Sequence, residues 1–288
     1  MSATKIYAVT VNHNTSHFVE LMLRTLFYKN DLSGIDFHML VLDNSSGDEH
    51  LGQLQAYLAE RRIPLIQTGF DNSLAPEKHG AAFDSFVEEY DDCTHYLFLD
   101  SDIWFVEDNT IPTMLSELLE SPPSVFANQA RIYGYYAYRV IEGRDGNPGI
   151  GDVDDFPTWQ VSCYDTEYTT RLVRRCSPAC SLVANIPVFR KVVETIGLGR
   201  AMGFEVGSAK WYDTFSLMTH VMATHDLRFI VSSKRVNHFT MTGYQPEARE
   251  LKDSNCLTML EELRAGRGME INLFRESDWK KQVERDQR

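Results

Sequence analysis

The feature that most constrains the fold of this chain is a regular alternation of strand and helix patterns over residues 5–105. Helical periodicity with apolar spacing fills the stretches between short β-branched or apolar runs. Repeated strand–helix–strand units predict parallel strands joined by right-handed crossovers, with helices on both faces of one sheet. The predicted strands are Ile6–Val11, Asp36–Leu42, Ile63–Gln67 and Tyr96–Leu99, and the intervening helices end near Tyr28, Arg62 and Tyr90.

Polar side chains follow each of these strands, at the point where the strand is expected to end. In an open α/β sheet the carboxyl ends of the strands form the crevice in which ligands bind. Three acid-rich turns on one edge exceed what helix capping requires, and the sequence therefore predicts a ligand site there. The residues concerned are Thr10, Asn12, Asp43, Asn44, Asp71, Asn72, Asp100 and Asp102.

The Asp100-Ser101-Asp102 tripeptide lies between two apolar runs. Carboxylates in such surroundings are costly to desolvate unless a positive charge meets them. Their hard oxygens suit a divalent cation, which can in turn hold a phosphate-bearing substrate. Judged by residue type alone, the tripeptide could equally well be an acidic turn that only caps the next helix.

The pattern loosens after Phe105. Helices are predicted at Ile111–Leu119, Pro187–Ile196, Trp211–His225 and Glu247–Arg264, and strands at Ser124–Ala130, Ser181–Ala184 and Leu227–Val231. Residues 143–155 are predicted to be a loop, because they are rich in Gly and Asp. The glycine-punctuated segment Gly197–Gly207 is predicted to be a flexible flap, and His238 is predicted to lie in a loop.

The net charge of −13 argues against a dedicated nucleic-acid binder, which normally carries a basic stripe. It also disfavours strong attraction to anionic membranes. No apolar run approaches the roughly 20 residues that a transmembrane helix needs. The N-terminal apolar run is too short for the core of a signal peptide. We therefore expect a cytoplasmic protein without a transmembrane segment or a nucleic-acid partner.

Several motifs resemble those of family 2-type glycosyltransferases with the GT-A fold, in order and spacing over residues 5–245. The motifs are VTVNHNTSHFVELMLRTL, LVLDNSSGDE, HGAAFDSF, YLFLDSDIWF, RRCSPACSLVANIPVFRKV, and WYDTFSLMTHVM followed by NHF. The resemblance implies an α/β fold in which a Rossmann-like nucleotide-binding half with a mixed central sheet is fused to an acceptor-binding half. It implies one GT-A domain over residues 1–245, with halves 1–105 and 106–245, and a C-terminal helical extension over residues 246–288.

The resemblance also implies roles for individual residues. The implied nucleotide-sugar-binding residues are Thr10, Asn12, Asp43, Lys78, His79, Asp100 and Ser101. Asp100, Asp102 and His238 are implied as ligands of Mn²⁺ or Mg²⁺. Asp213 is implied as the general base, and a position near a helix N-terminus would favour its anionic form.

The function implied is an inverting, divalent-metal-dependent transfer of a sugar from a nucleotide-sugar donor, expected to be a uridine diphosphate sugar. The acceptor is a glycan or another hydroxyl compound, and formation of a homo-oligomer is left open. One alternative is a haloacid dehalogenase-like phosphatase using Asp100 and Asp102, with the acidic motif of residues 151–155 as a later metal-binding element. A second alternative is a non-catalytic module that binds nucleotide sugars.

Overall fold

The computed structural model describes residues 4–71, 78–135, 150–152, 161–162, 176–199, 203–206, 209–212, 214–239 and 246–267. The strands of this part are β1 Lys5–Asn12, β2 Asp36–Asp43, β3 Leu65–Gln67, β4 His95–Leu99, β5 Ile103–Phe105, β6 Val125–Tyr135, β7 Ile150–Asp152, β8 Val161–Ser162, β9 Cys180–Ala184, β10 Gly203–Val206, β11 Ala209–Tyr212 and β12 Arg228–His238. The helices are α1 Ser16–Lys29, α2 Leu51–Arg61, α3 Lys78–Glu89, α4 Thr110–Leu119, α5 Pro187–Thr195, α6 Ser216–Thr224 and α7 Pro246–Arg264.

A mixed sheet of nine strands forms the centre of the described structure, in the order β3-β2-β1-β4-β9-β6-β12-β5, with β7 paired to β6. Strands β1 to β4 are parallel to one another, as the strand–helix alternation predicts. β9 is antiparallel to both β4 and β6, and β12 is parallel to β6 but antiparallel to β5. The predicted mixed α/β architecture is confirmed. A smaller sheet has the order β11-β10-β8.

The central strands carry apolar residues on both faces because helices cover both faces of the sheet. All five residues of β4 are buried. The core on one face is built from α1, α2 and α4, with Leu23 and Met114 among its residues. The core on the other face is built from α3, α5 and α6, and includes Phe83 and Phe189.

Agreement with the predicted elements is close in the first half of the chain and poorer in the second. The helix predicted at Trp211–His225 is wrong in its first turn, because Trp211 belongs to β11 and α6 begins at Ser216. The predicted flap Gly197–Gly207 contains strand β10, and the predicted loop 143–155 contains β7. His238 is the last residue of β12 and not a loop residue.

Helix α7 packs along α1, although the two are far apart in the sequence. Nε2 of His17 lies 2.7 Å from Oδ1 of Asp253, and Nη2 of Arg264 lies 2.5 Å from Oε2 of the buried Glu20. The Cys256 thiol donates to the His17 carbonyl. These contacts fix α7 against the core, beside the turn that follows β1.

None of the helices in the described part of the chain has the length and apolar character that crossing a bilayer requires.

Candidate metal centre

Asp102 and His238 face each other because β5 and β12 pair next to the end of β4. β5 begins directly after the Asp100-Ser101-Asp102 turn, and Ile103 is in register with His238. The backbone N–H of Phe239 donates to the carbonyl of Asp102 at 2.9 Å. Backbone pairing therefore brings an imidazole from residue 238 to the acidic turn.

Asp100, Asp102 and His238 form a compact group whose candidate ligand atoms all lie within 4.8 Å of one another. Nε2 of His238 is 2.8 Å from Oδ1 of Asp102 and 3.6 Å from Oδ2 of Asp100. Burial alone would lower the pKa of His238, but the two carboxylates outweigh burial and the pKa lies above its ordinary value. The group therefore concentrates negative charge in a site that is largely closed to water.

This donor set fits a divalent cation. Carboxylate oxygens suit Mg²⁺ and Mn²⁺, and an imidazole nitrogen favours Mn²⁺ over Mg²⁺. The turn between β4 and β5 and the end of β12 together supply three side chains. A divalent ion bound by them would have further coordination positions for water or a phosphate oxygen. Asp100, Asp102 and His238 are thus the residues of the described structure that can hold the predicted metal.

Aromatic packing fixes the end of β12. The Phe239 ring lies 4.4 Å from the Trp104 ring and 5.0 Å from the Phe18 ring, measured between centroids. Phe18 and Phe239 are fully buried, and 2% of Trp104 is exposed. The backbone next to His238 is therefore fixed by this aromatic cluster, and the Asp102 carboxylate orients the imidazole.

A second histidine, His79 on α3, is close enough to Asp102 to feel its charge. Its Nδ1 is 3.2 Å from Oγ1 of Thr214, and its ring packs edge-on against Phe83. Burial lowers the pKa of His79 to about 4, although the charge of Asp102 acts in the opposite direction. His79 is therefore a neutral imidazole near pH 7, able to form hydrogen bonds but without a positive charge to offer a phosphate.

Thr10, Asn12 and Asp43 form a second group at the same sheet edge, at the ends of β1 and β2. All three are fully buried. Nδ2 of Asn12 donates to Oδ1 of Asp43 at 2.9 Å, and the Ser46 N–H lies 3.3 Å from Oδ2 of Asp43. The Thr10 hydroxyl has no hydrogen-bond partner in the described structure. In this arrangement the group fixes the strand-end turns, and its role in nucleotide binding stays a prediction.

The remaining predicted site residues are less closely grouped. The carbonyl of Lys78 accepts a hydrogen bond from Nδ2 of Asn44, and Nζ of Lys78 lies 5.5 Å from the Phe70 ring centroid. Ser101 lies in the turn between Asp100 and Asp102 and is partly exposed. Asp213 and Asn72 lie outside the described residues.

Sequence reasoning missed Lys252, a residue of α7 that is 1% exposed. Burial lowers the pKa of Lys252 from 10.5 to about 8. The charge of Asp102 acts in the opposite direction and offsets only part of this effect. Lys252 in turn acts to lower the pKa of His238. The signal in the sequence is its helical spacing with apolar Cys256, Met259 and Leu260, which puts a lysine on the buried face of α7.

Comparison with known proteins identifies the fold. Neither a protein-family model nor a curated protein sequence matches this chain. Among solved structures, it is similar to GalNAc-T7 with UDP, GalNAc and Mn²⁺, at TM-score 0.52 and 12% identity over 89% of this chain and 48% of that one. It is also similar to the mannosyltransferase PcManGT from Pyrobaculum calidifontis with GDP-Man and Mn²⁺, at TM-score 0.50 and 12% identity over 92% of this chain and 65% of that one.

A third similar structure is S. aureus TarS in complex with UDP-GlcNAc, at TM-score 0.50 and 15% identity over 87% of this chain. The chain spans 66% of that structure and no more than about two thirds of the other two. These neighbours are GT-A-type glycosyltransferases, and the predicted GT-A fold is confirmed. Membership of family 2 within that fold stays a prediction.

The GT-A fold does not favour the phosphatase alternative. In haloacid dehalogenase-like phosphatases the Asp-x-Asp motif follows the first strand, whereas Asp100 here follows β4. Of the later acidic motif, residues 153–155 lie outside the described residues.

Proposed function

We propose that this chain is an inverting, divalent-metal-dependent glycosyltransferase that moves a sugar from a nucleotide-sugar donor to an acceptor hydroxyl. The observation that carries the proposal is the grouping of Asp100, Asp102 and His238 at the carboxyl end of β4 in a GT-A fold. Support for a uridine diphosphate donor comes from the similar structures that contain UDP or UDP-GlcNAc. The structure with GDP-Man makes guanosine diphosphate sugars the second class to test.

Asp100, Asp102 and His238 would hold the metal, with Mn²⁺ preferred over Mg²⁺ because of the imidazole. When bound, a divalent ion neutralises the negative charge that builds on the departing nucleoside diphosphate. The chain's own contribution is to fix three ligands on two strand ends, so that little reorganisation accompanies the reaction. The burial of Asp102 keeps water from weakening these electrostatic interactions.

We propose Asp213 as the general base that removes the proton of the attacking hydroxyl. Attack from the face opposite the diphosphate inverts the configuration at the anomeric carbon, and a carboxylate on that face can accept the proton. Support comes from the sequence resemblance and from the next residue, Thr214, whose hydroxyl lies 3.2 Å from Nδ1 of His79. The negative charge of the Asp102 carboxylate acts to raise the pKa of His79.

We also propose that residues 1–105 bind the donor and that residues 106–245 carry most of the acceptor site. The four parallel strands β1 to β4 and the turns that follow them lie in the first segment. The donor and metal are best identified by a thermal-shift panel of UDP- and GDP-sugars with and without Mn²⁺, because a bound ligand stabilises the folded state by mass action.

The test of the catalytic proposal is donor turnover in Asp213→Asn. We expect a loss of turnover of about a hundredfold or more, because a general base typically contributes 10²–10⁴-fold. Donor affinity should stay at the wild-type value, since a base that acts on the acceptor hydroxyl is not needed to bind the donor. Asp226→Asn is the matched control, because Asp226 is exposed and its φ of 58° suits Asn equally well. Full turnover in Asp213→Asn would exclude Asp213 as the base.

A further inference from the structure

The turn that joins β11 to α6 has a backbone conformation that is rare for its sequence. Phe215, the residue before α6, has a φ of 74°, and a bulky side chain in this left-handed region is uncommon. Phe215 is nevertheless fully buried, and its carbonyl accepts hydrogen bonds from the Thr219 N–H at 2.9 Å and from the Thr219 hydroxyl at 2.7 Å. Such a conformation persists only where its surroundings over-determine it, and it occurs often at functional sites.

One face of α3 contacts both described residues of this turn. Oγ1 of Thr214 and Nδ1 of His79 lie 3.2 Å apart and form a hydrogen bond. Four residues further along α3, the Phe83 ring lies 6.4 Å from the Phe215 ring, measured between centroids. The His79 and Phe83 rings also contact each other, with their centroids 4.8 Å apart. Residues four apart lie on the same face of a helix, so α3 offers the turn a polar and an apolar contact side by side.

A third contact between α3 and the turn runs through the segment that follows α5. The Phe215 N–H donates to the carbonyl of Leu198 at 3.4 Å. The Leu198 N–H in turn donates to Oδ1 of Asp84, on α3, at 2.6 Å. Helix α3 therefore fixes the backbone of the turn as well as its side chains.

The Phe215 ring also links the turn to the strand that leads into the metal centre. It lies 4.8 Å from the ring of the fully buried Phe98, with the two planes at 84°. Phe98 belongs to β4, which ends at Leu99 and is followed directly by Asp100 of the candidate metal centre. The turn before α6 is therefore packed against the strand that carries the candidate metal ligands.

We propose that His79, through its hydrogen bond to Thr214, is the positioning residue of the general base. The inference rests on the proposed function, in which Asp213, the neighbour of Thr214 in the chain, removes the proton of the attacking hydroxyl. The base acts on the face of the sugar opposite the diphosphate, so its position relative to the bound donor strongly affects the rate. The contacts of α3 and β4 with Thr214 and Phe215 fix the backbone that leads directly into Asp213.

The experiment is hydrolysis of UDP-GlcNAc by the full chain with Mn²⁺, measured as release of UDP, with water in place of the acceptor hydroxyl. In this reaction the bond between the anomeric carbon and the diphosphate oxygen breaks. The water oxygen bonds to that carbon, and Asp213 takes the proton. GDP-Man replaces UDP-GlcNAc if only GDP-Man is hydrolysed.

The decisive variant is Thr214→Val, which keeps the branched shape of the side chain but removes its hydroxyl. We expect kcat to fall about tenfold and KM to stay within about twofold of the wild type, because a displaced base slows the chemical step while the donor contacts remain. Thr214→Ser keeps the hydroxyl and should retain about half of the wild-type kcat or more. Thermal unfolding checks that the variants are folded, and Thr214→Ala replaces Thr214→Val if the latter is not. Thr224→Val, at the exposed end of α6, is the matched control and should behave as the wild type.

A double-mutant cycle tests whether His79 and Thr214 act through each other. His79→Leu removes the ring nitrogen that bonds Thr214. Combined with Thr214→Val, it should lower kcat by no more than about twofold beyond the larger of the two single losses, because both substitutions break the same hydrogen bond. Single losses of kcat that multiply in the double variant would mean that the two residues act independently, and the proposal would be wrong.

The outcomes separate this proposal from the proposed function. If the wild type hydrolyses a nucleotide sugar, Asp213→Asn does not, and Thr214→Val keeps the wild-type kcat, the assignment of His79 is wrong and the proposed function stands. A raised KM at unchanged kcat in Thr214→Val, or equal losses of kcat in Thr214→Val and Thr214→Ser, also overturns the assignment. If the wild type hydrolyses neither UDP-GlcNAc nor GDP-Man, the proposed function fails and the assignment fails with it. A loss of kcat in Thr214→Val that is absent from Thr214→Ser supports the assignment.

Discussion

The charge of Asp102 acts on two histidines whose surroundings are built on different physical principles. On one side, the end of β12 and helix α7 bring charged groups towards it, and the pKa of His238 lies above its ordinary value. On the other side, α3 brings His79, whose pKa burial lowers to about 4. The same carboxylate thus faces one imidazole that is readily protonated and one that is neutral. Opposite shifts of neighbouring groups indicate different tasks at one site.

The region around α3 is held by close packing and backbone contacts. A Cβ atom added to Gly80 would lie 2.2 Å from Cα of Gly199, so the two backbones touch. Oδ1 of Asp84, one turn further along α3, accepts from the Leu198 N–H at 2.6 Å. These contacts fix the segment that precedes β10. Changes here should alter stability, whereas changes beside β12 should alter the binding of ions and phosphates.

The largest effect on stability is expected for Gly80→Ala. The new methyl group meets backbone that cannot move aside as a side chain can, and overpacking of this kind costs about 3 kcal/mol. Chemical denaturation measures the change. The matched control is Gly52→Ala in α2, where an added Cβ meets nothing within 4 Å. Because Ala favours helix over Gly, the control should gain about 0.5–1 kcal/mol. Equal stability of Gly80→Ala and the wild type would show that α3 does not depend on this contact.

A smaller effect, dependent on pH, is expected for Asp84→Asn. Burial raises the pKa of Asp84 from 3.8 to about 6, against the hydrogen bonds from the Leu198 and Gly199 N–H groups and with a small contribution from Glu88. The folded state therefore binds the proton of the Asp84 carboxyl group more tightly than the unfolded state does. The stability that this protonation contributes is present below pH 3.8 and is lost as the pH rises through about 6.

Asn keeps an oxygen acceptor for the Leu198 N–H but cannot ionise. At pH 7 we therefore expect Asp84→Asn to be more stable than the wild type by about 2 kcal/mol, with the gap closing towards pH 4. Urea denaturation at pH 4 and pH 7 measures the gap. A gap of the same size at both pH values would mean that ionisation of Asp84 is not its cause.

The region that sequence reasoning describes well is the one in which partners are near in the chain. β1 to β4 and their helices follow local periodicity, and the carboxyl ends of parallel strands meet at one edge by topology alone. Asp100 and Asp102 are predictable as site residues for that reason. The bounds of these elements agree with the structure to within a few residues.

The rest of the site depends on contacts between distant parts of the chain. β5 has three residues and is a strand because β12 pairs with it, and Asn237 and His238 join β12 despite weak strand propensity. Lys252 is buried because α7 packs on α1, and no local pattern specifies that α1 is the partner. The predicted helix at Trp211 failed because β10 pairs with that segment.

The central claim is that Asp100, Asp102 and His238 hold the metal through which the donor binds. Isothermal titration of UDP with and without Mn²⁺, in the wild type and in three single variants, tests it most directly. Asp102→Ala and His238→Ala should each weaken the Mn²⁺-dependent binding by about a hundredfold, because each removes a ligand. His38→Ala, which changes an exposed histidine near the amino end of β2, should stay within about threefold of the wild type. Wild-type affinity in Asp102→Ala would contradict the claim.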